Sequence, residues 1–434
     1  MNGIFIRLKS LWLALAAIVA GMDAWAQSWG SLPEKRAAEL FAEAQRVCAA
    51  DGGRLWGENI WGPVLLVRDA DKLAFTNEPS LLPGSIKIDS LYCGTLDSDI
   101  VVAGSAVSYK DKDVAIVPMF ELSDSALVEV FVHELFHRFQ NRHYGRDEMV
   151  YDNAHVDSKT GRTLVLCELL ELTKALGCNG LDRRPHIEKA LGYRQWRWTL
   201  FPDKITDECR FEFQEGLALY TQYRLCLSDS ARVSEQLCRD VERMLTSPNL
   251  SRQYGYYMGA IYGCLNDIEP SWRREVEPSR CLCEFAGKAY GIDFSMLKDT
   301  MALRQTESYI RVTQGVDSLE AARRATRNRV LQAIQSKNVV YLGADNYQMG
   351  FNPACVTGLD ELGTYFSVIE LKGDFGRCYS AYGCLISNRP MLILPPKQTK
   401  KRGTSSSDFA IELKKGWRLK KCADGYEIVK SKKH

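Results

Sequence analysis

The sequence predicts an α+β protein: a small sheet leading into a mainly helical body, then a C-terminal β domain. Three observations carry this. Short β-type runs bounded by Gly, Asp, Asn or Pro fill residues 64–117. Apolar residues at helical spacing dominate from 121 to 337. After Lys337 the pattern returns to short runs between turn residues. The domains expected are 27–120, an N-terminal α/β part, 121–337, a helical body, and 338–434, a small β-rich domain. With 46% hydrophobic and 25% charged residues, the composition is that of a globular protein. A formal charge of +2 gives no argument for nucleic acid, and none is expected as a partner.

Residues 1–26 read as a signal peptide. Arg7 and Lys9 make a basic start, and Leu11–Ala20 is an apolar run too short to span a membrane well. Ala24-Trp25-Ala26 fits the small-x-small rule, which places cleavage before Gln27. The alternative is a retained signal anchor. The expectation is an exported protein, periplasmic or extracellular, with no stable membrane insertion after cleavage. All fourteen cysteines follow that site, so disulfides are permitted. Cys281 with Cys283, and Cys378 with Cys384, are candidate pairs. Cys167, Cys226 and Cys264 sit in apolar helical patterns and read as free thiols.

Taken in order, Leu32–Asp51 is an amphipathic helix ended by Gly52-Gly53. Runs at Val64–Val67, Leu73–Thr76, Ile86–Leu91, Ile100–Val107 and Val114–Val117 make the small sheet, expected to be antiparallel. Trp56 and Trp61 read as packing residues. Ser123 or Asp124 caps a helix running to about Asn141. Further helices are expected over Arg162–Ala175, His186–Leu200, Ile205–Leu227, Ala231–Leu245, Tyr256–Asn266, Ser279–Tyr290 and Leu319–Lys337. Strands follow at Val339–Leu342, Thr364–Leu371, Ala381–Ile386 and Met391–Leu394. After a loop at Ser405–Ser407 come Phe409–Leu413 and Tyr426–Val429, in a sandwich or partial barrel. Residues 397–434 hold twelve Lys or Arg and four Asp or Glu. A solvated β surface is the plain reading, and contact with an anionic envelope surface the sharper one.

The helix from Ser123 carries His133-Glu134-Leu135-Phe136-His137. Positions i and i+4 share one helix face, so both imidazoles point the same way and can grip one Zn²⁺. Glu134 beside them can act as general base. With six histidines in the chain, chance supplies such a match in roughly one sequence in a hundred or fewer. Leu127, Val130, Phe131, Leu135 and Phe139 make this helix apolar on most sides. Buried polar groups there need partners, which a metal provides.

A third ligand must come from elsewhere. His143 lacks the spacing of the H-x-x-G-x-x-H extension. The sequence instead resembles the gluzincin metallopeptidases, such as the thermolysin-like and zinc aminopeptidase families, which pair H-E-x-x-H with a downstream E-x-x-A. Glu215-Gly216-Leu217-Ala218 matches that element, so the resemblance implies a zincin-like core with Glu215 as third ligand. It implies also that Gly216 and Ala218 let the helices pack closely around the ion. Glu212, one turn earlier, is the rival ligand, with a salt bridge as its plainer use. Tyr256-Tyr257-Met258-Gly259 resembles the Y-x-x-G element that carries an oxyanion-stabilising tyrosine. Tyr256 matches by position, Tyr257 is the fallback, and helix packing is the plain alternative.

The chain departs from those families in places. Seventy-seven residues separate His137 from Glu215, which requires an extra helical hairpin at about 160–200. Arg138 stands where zincins keep an uncharged residue. The aspartate that thermolysin-like proteins place one turn after the ligand glutamate is here Leu219. Asp157, Glu168 and Glu212 are the candidates to accept from a ligand histidine instead. His155 is either a substrate contact or a structural loop residue. The reading is an exported zinc metallopeptidase acting on a peptide or protein. The alternatives are a catalytically weak zincin-fold binding module, which would not need Glu134, and a zinc hydrolase of a non-peptide bond.

Overall fold

The computed structural model describes residues 29, 33–147, 151–227, 229–247, 250–344, 346–351, 355–395 and 408–431. The expected signal peptide with its cleavage site, and the loop at Ser405–Ser407, lie outside them. The chain forms two compact units, Met1–Leu245 with Leu250–Thr313, and Thr246–Asn249 with Gln314–His434. The protein is a mixed α/β chain with an N-terminal sheet, a helical body and C-terminal sheets. No helix among the described residues is long and apolar enough to cross a membrane.

The first unit opens with α1 (Pro33–Asp51), which buries Ala37, Leu40, Phe41, Ala44 and Val47 at helical spacing. Six strands follow: β1 (Val64–Val67), β2 (Leu73–Thr76), β3 (Ile86–Ile88), β4 (Leu91–Thr95), β5 (Ser105–Tyr109) and β6 (Lys112–Pro118). They form one sheet in the order β3-β4-β2-β1-β6-β5. The all-antiparallel expectation is corrected at one pair, because β1 and β6 run parallel with Val64 opposite Ala115. Every residue of β1 is buried, the pattern of a central strand covered on both faces. A period-two pattern reports burial of faces but not the direction of a neighbour, so the sequence could not show this.

Next comes α2 (Asp124–Tyr144), the helix that carries the histidines. Ser123 caps it, its hydroxyl accepting from the Ala126 amide at 3.3 Å. This helix packs on β6. The expected hairpin is formed by α3 (Lys159–Leu176) and α4 (Arg184–Leu200), which pack against each other. The stretch expected as one helix over 205–227 has three parts. These are α5 (Ile205–Phe211), a wide π turn at Glu212–Gly216, and α6 (Leu217–Cys226). Then come α7 (Ser230–Met244), α8 (Tyr254–Asn266), α9 (Trp272–Glu275), α10 (Leu282–Ala289) and α11 (Thr300–Arg304). The long α12 (Glu307–Gln335) starts a dozen residues before the expected helix.

Trp56 lies among Phe136, Phe139, Tyr220 and Trp272 and donates to Thr221 Oγ1 at 2.9 Å, a packing role. The disulfide found joins Cys209 to Cys281, so the Cys281–Cys283 pairing is corrected. Cys281 precedes α10 and Cys283 lies inside it, where near neighbours point to different sides. Cys378 and Cys384 are also free, on strands of two different sheets and buried in apolar surroundings. Cys167, Cys226 and Cys264 are free thiols.

The second unit holds a seven-stranded and a four-stranded sheet. The strands are β7 (Val339–Leu342), β8 (Tyr347–Gly350), β9 (Val356–Gly358), β10 (Thr364–Phe366), β11 (Ile369–Gly373) and β12 (Gly376–Ser380). They continue with β13 (Cys384–Ile386), β14 (Met391–Ile393), β15 (Phe409–Leu413), β16 (Trp417–Cys422) and β17 (Gly425–Lys430). The orders are β16-β17-β7-β14-β13-β10-β9 and β15-β12-β11-β8. Val340, Leu342, Leu392 and Ile428 of one sheet share a core with Ile369, Leu371, Cys378 and Phe409 of the other. On the opposite face, Val339, Met391 and Ile393 pack with Val330 and Ala333 of α12. Alternation along β7 thus serves two cores. The run expected as one strand at Thr364–Leu371 is two, β10 and β11, one in each sheet.

Candidate metal centre

Two histidines from α2 and one glutamate from the π turn meet in the first unit. Their ligand atoms all lie within 4.8 Å of one another, the one group of three metal-capable side chains among the described residues. His133 Nε2 and His137 Nε2 each stand 3.4 Å from Glu215 Oε2. That is wider than a charge-assisted hydrogen bond of about 2.7–2.9 Å. It equals the edge of a tetrahedron whose bonds are about 2.0–2.1 Å long, the length zinc makes with nitrogen and oxygen. All three residues are buried, as is Glu134.

The π turn places Glu215. A helix interrupted in this way rotates its following residues and is frequent at functional sites. The turn is held by close backbone approach to α8. A Cβ on Gly216 would lie 2.5 Å from Gly259 Cα and 2.7 Å from the Gly255 carbonyl oxygen. The small residue that the resemblance assigned to packing around the ion therefore packs against α8. That contact brings Tyr256 to the site, its ring stacked on His133 with centroids 6.0 Å apart. Tyr257, the fallback, is buried near Asp240 and Arg243 instead.

The outer nitrogens of both histidines are occupied. His133 Nδ1 meets Gln222 Oε1 at 3.1 Å, and His137 Nδ1 meets Gln140 Oε1 at 2.9 Å. Gln214 Nε2 also lies 3.0 Å from His137 Nδ1. The carboxylates expected in this role are elsewhere. Asp157 accepts from Arg162 and from the Leu250 amide. Glu168 and Glu212 bind Arg194. Glu212, the rival ligand, forms a two-pronged pair with that arginine at 2.6 and 3.0 Å. Leu219 is simply buried core.

That arginine belongs to a second buried cluster. Arg197 bridges Glu168 and Glu208, each at 2.8 Å. His155 Nε2 contacts Glu208 at 2.7 Å, and Tyr262 donates to Glu168 at 2.7 Å. His155 thus has the structural role, and its ring packs on Phe201. His143 stacks on Phe139, away from the three ligand atoms. Arg138 turns onto the sheet, donating to the Asp113 carbonyl at 2.9 Å with its guanidinium over Gly62.

The electrostatics of the triad are those of a buried carboxylate flanked by two imidazoles. Burial alone would push Glu215 up, but His137 and His133 outweigh it and hold it well below the usual carboxylate range. Burial alone would push His137 down, yet Glu215 raises it to about 9. Burial lowers His133. Glu134 is pushed up to about 8 by burial, against the pull of His137 and with Glu215 adding repulsion. Its Oε2 is buried without a hydrogen-bond partner. Burial and the Glu215 carboxylate push the Tyr256 phenol well up.

Sequence reasoning missed Gln140, Gln222, Glu129 and the two arginines. A signal existed for two of them. Glu129 lies one turn before His133 on the same helix face, and Gln222 lies two turns after Glu215. None of the family models, curated proteins or solved structures compared with this chain matches it.

Proposed function

We propose that this chain is a zinc-dependent hydrolase, with peptides as its substrates. What carries the reading is one observation: two imidazole Nε2 atoms each stand 3.4 Å from one carboxylate oxygen, beside a buried, unpartnered Glu134 Oε2. The donor set fits zinc, since two nitrogens and one oxygen with a fourth position open is a common catalytic arrangement for that metal. Bound zinc would supply Lewis-acid polarisation of a carbonyl and bring the ionisation of a water near neutral pH.

The chain's own residues do the rest. Gln222 and Gln140 orient the rings so that both Nε2 atoms face inward. Glu134 takes the proton of the attacking water at its free Oε2 and hands it to the leaving amine. Tyr256 donates toward the oxygen that gains charge as the carbonyl is attacked. Peptide as the substrate rests on the gluzincin resemblance of the two motifs. Export rests on residues 1–26, and contact with an anionic envelope on the basic residues of 397–434.

The test is elemental analysis of the purified protein, joined to a peptide-library digest with wild type and Glu134→Gln. One zinc per chain with cleavage lost in the variant is the expected result. Zinc-free folded protein overturns the reading. Zinc with no cleavage by wild type leaves the binding-module or non-peptide alternatives.

A further inference from the structure

Whether an imidazole can bind a metal through Nε2 depends on where its proton sits. If Nδ1 donates to an acceptor, Nε2 keeps its lone pair. If Nδ1 accepts from a donor, the neutral ring carries its proton on Nε2 and cannot ligate. An amide side chain offers both an acceptor and a donor, so an amide partner settles nothing until its own direction is fixed. Both histidines of this site face amides.

His137 Nδ1 meets two amides, Gln140 and Gln214, and the main chain fixes the direction of Gln140. Gln140 Nε2 donates to the Phe213 carbonyl at 2.9 Å and the Gln214 carbonyl at 3.2 Å. Carbonyl oxygens accept only, so Gln140 must turn its own oxygen to the ring. For His133 the corresponding anchor is a side chain. Gln222 Nε2 donates to Glu129 Oε2 at 2.9 Å. Glu129 is 4% exposed, too deep for water to serve in its place. An ionised carboxylate also accepts only.

We infer that Glu129, acting through Gln222, holds His133 in the Nδ1–H tautomer and is a positioning residue of the metal site. The inference rests on the reading of His133, His137 and Glu215 as metal ligands. Glu129 touches neither metal nor substrate. Its role is to leave Gln222 one orientation. Asp240 is its charged neighbour, and that carboxylate is held by Tyr223, Gln236 and Arg243. Burial, opposed by Gln222 and joined by Asp240, raises Glu129 to about 7, so the experiment belongs above that pH.

The deciding variant is Glu129→Gln, which keeps shape and length but makes position 129 a donor as well as an acceptor. Zinc affinity, read by competition with a chelating indicator, is expected to fall on the order of tenfold or more. In the metal-free protein, the imidazole ¹⁵N shifts of His133 are expected to show Nδ1–H in wild type and a mixture with Nε2–H in the variant. The exchange Glu129→Gln with Gln222→Glu places an acceptor-only group directly on His133, and should restore both readouts. A purely structural role would move the melting temperature without moving the tautomer. An unchanged tautomer and affinity in Glu129→Gln overturns the relay while leaving the zinc site standing. Wild type that binds no zinc overturns the metal reading, and the ¹⁵N measurement, which needs no metal, still decides the relay.

Discussion

The first unit buries two groups of charged side chains, and they are completed in different ways. Around Arg194 and Arg197, guanidinium nitrogens meet Glu168, Glu208 and Glu212 at 2.5–3.0 Å. That cluster carries its own cations, and its ions are in direct hydrogen-bond contact. Around His133, His137 and Glu215 the ions stand off at 3.4 Å, and Glu134 has a carboxylate oxygen with no partner. Burying charge without partners is costly, and the two groups meet that cost differently: the first with guanidiniums in direct contact with its carboxylates, the second with two imidazoles held off from one carboxylate.

The strongest way to break this contrast is at Glu134. If the stand-off site is catalytic, Glu134→Gln should lower turnover by about 100- to 10,000-fold, the span of general-base catalysis. Zinc content should be kept, as checked by elemental analysis. An equal loss of zinc would make Glu134 part of the binding set instead.

Arg194 tests the other side. Removing one partner of a buried ion pair leaves charge uncompensated, so Arg194→Met should destabilise the fold by about 3–5 kcal/mol. Denaturant unfolding measures it. His137→Gln should destabilise the metal-free protein as well, because buried Glu215 loses the imidazole that holds it ionised.

Metal should act on one cluster alone. Zinc at about a hundred times its dissociation constant should stabilise the wild type by about 2.7 kcal/mol. A chelator should abolish the gain, read from the melting temperature. Arg194→Met should keep this increment, and His137→Gln should lose it.

The smallest effect is the pH slope of the network. Three carboxylates share two guanidiniums there, and burial pushes Glu212 up to about 7 despite Arg194. A raised acid favours the protonated fold. Its contribution is therefore fully present below the ordinary value of 4.5 and is lost as pH rises through about 7. Glu212→Gln should flatten the decline in stability between those values, measured by urea unfolding of metal-free protein across that range.

Much of this was legible along the chain. Helical periodicity located α1, α2, α4, α7 and α8 to within a few residues, and turn residues bounded β1 and β2 at their observed ends. The H-E-x-x-H spacing is local, so its meaning survives without knowledge of the fold. Less legible were β8, β9 and β12, short strands rich in Gly and Tyr with little alternation, and β16, whose charged residues read as solvated surface. The π turn was invisible, since its five residues keep the composition of a helix.

What the sequence determined by itself was the chemistry that depends on near neighbours. Two histidines one turn apart must share a helix face, and an apolar helix must be buried. The ranking of Glu215 over Glu212 came from a short downstream motif. What only the tertiary structure decided was every pairing between distant segments. The parallel contact of β1 with β6, the Cys209–Cys281 link, the arginines that claim Glu168 and Glu212, and Gln222 behind His133 all join such segments. Periodicity reports which face of an element is buried, but not what lies opposite it. For a buried charge, what lies opposite decides its role.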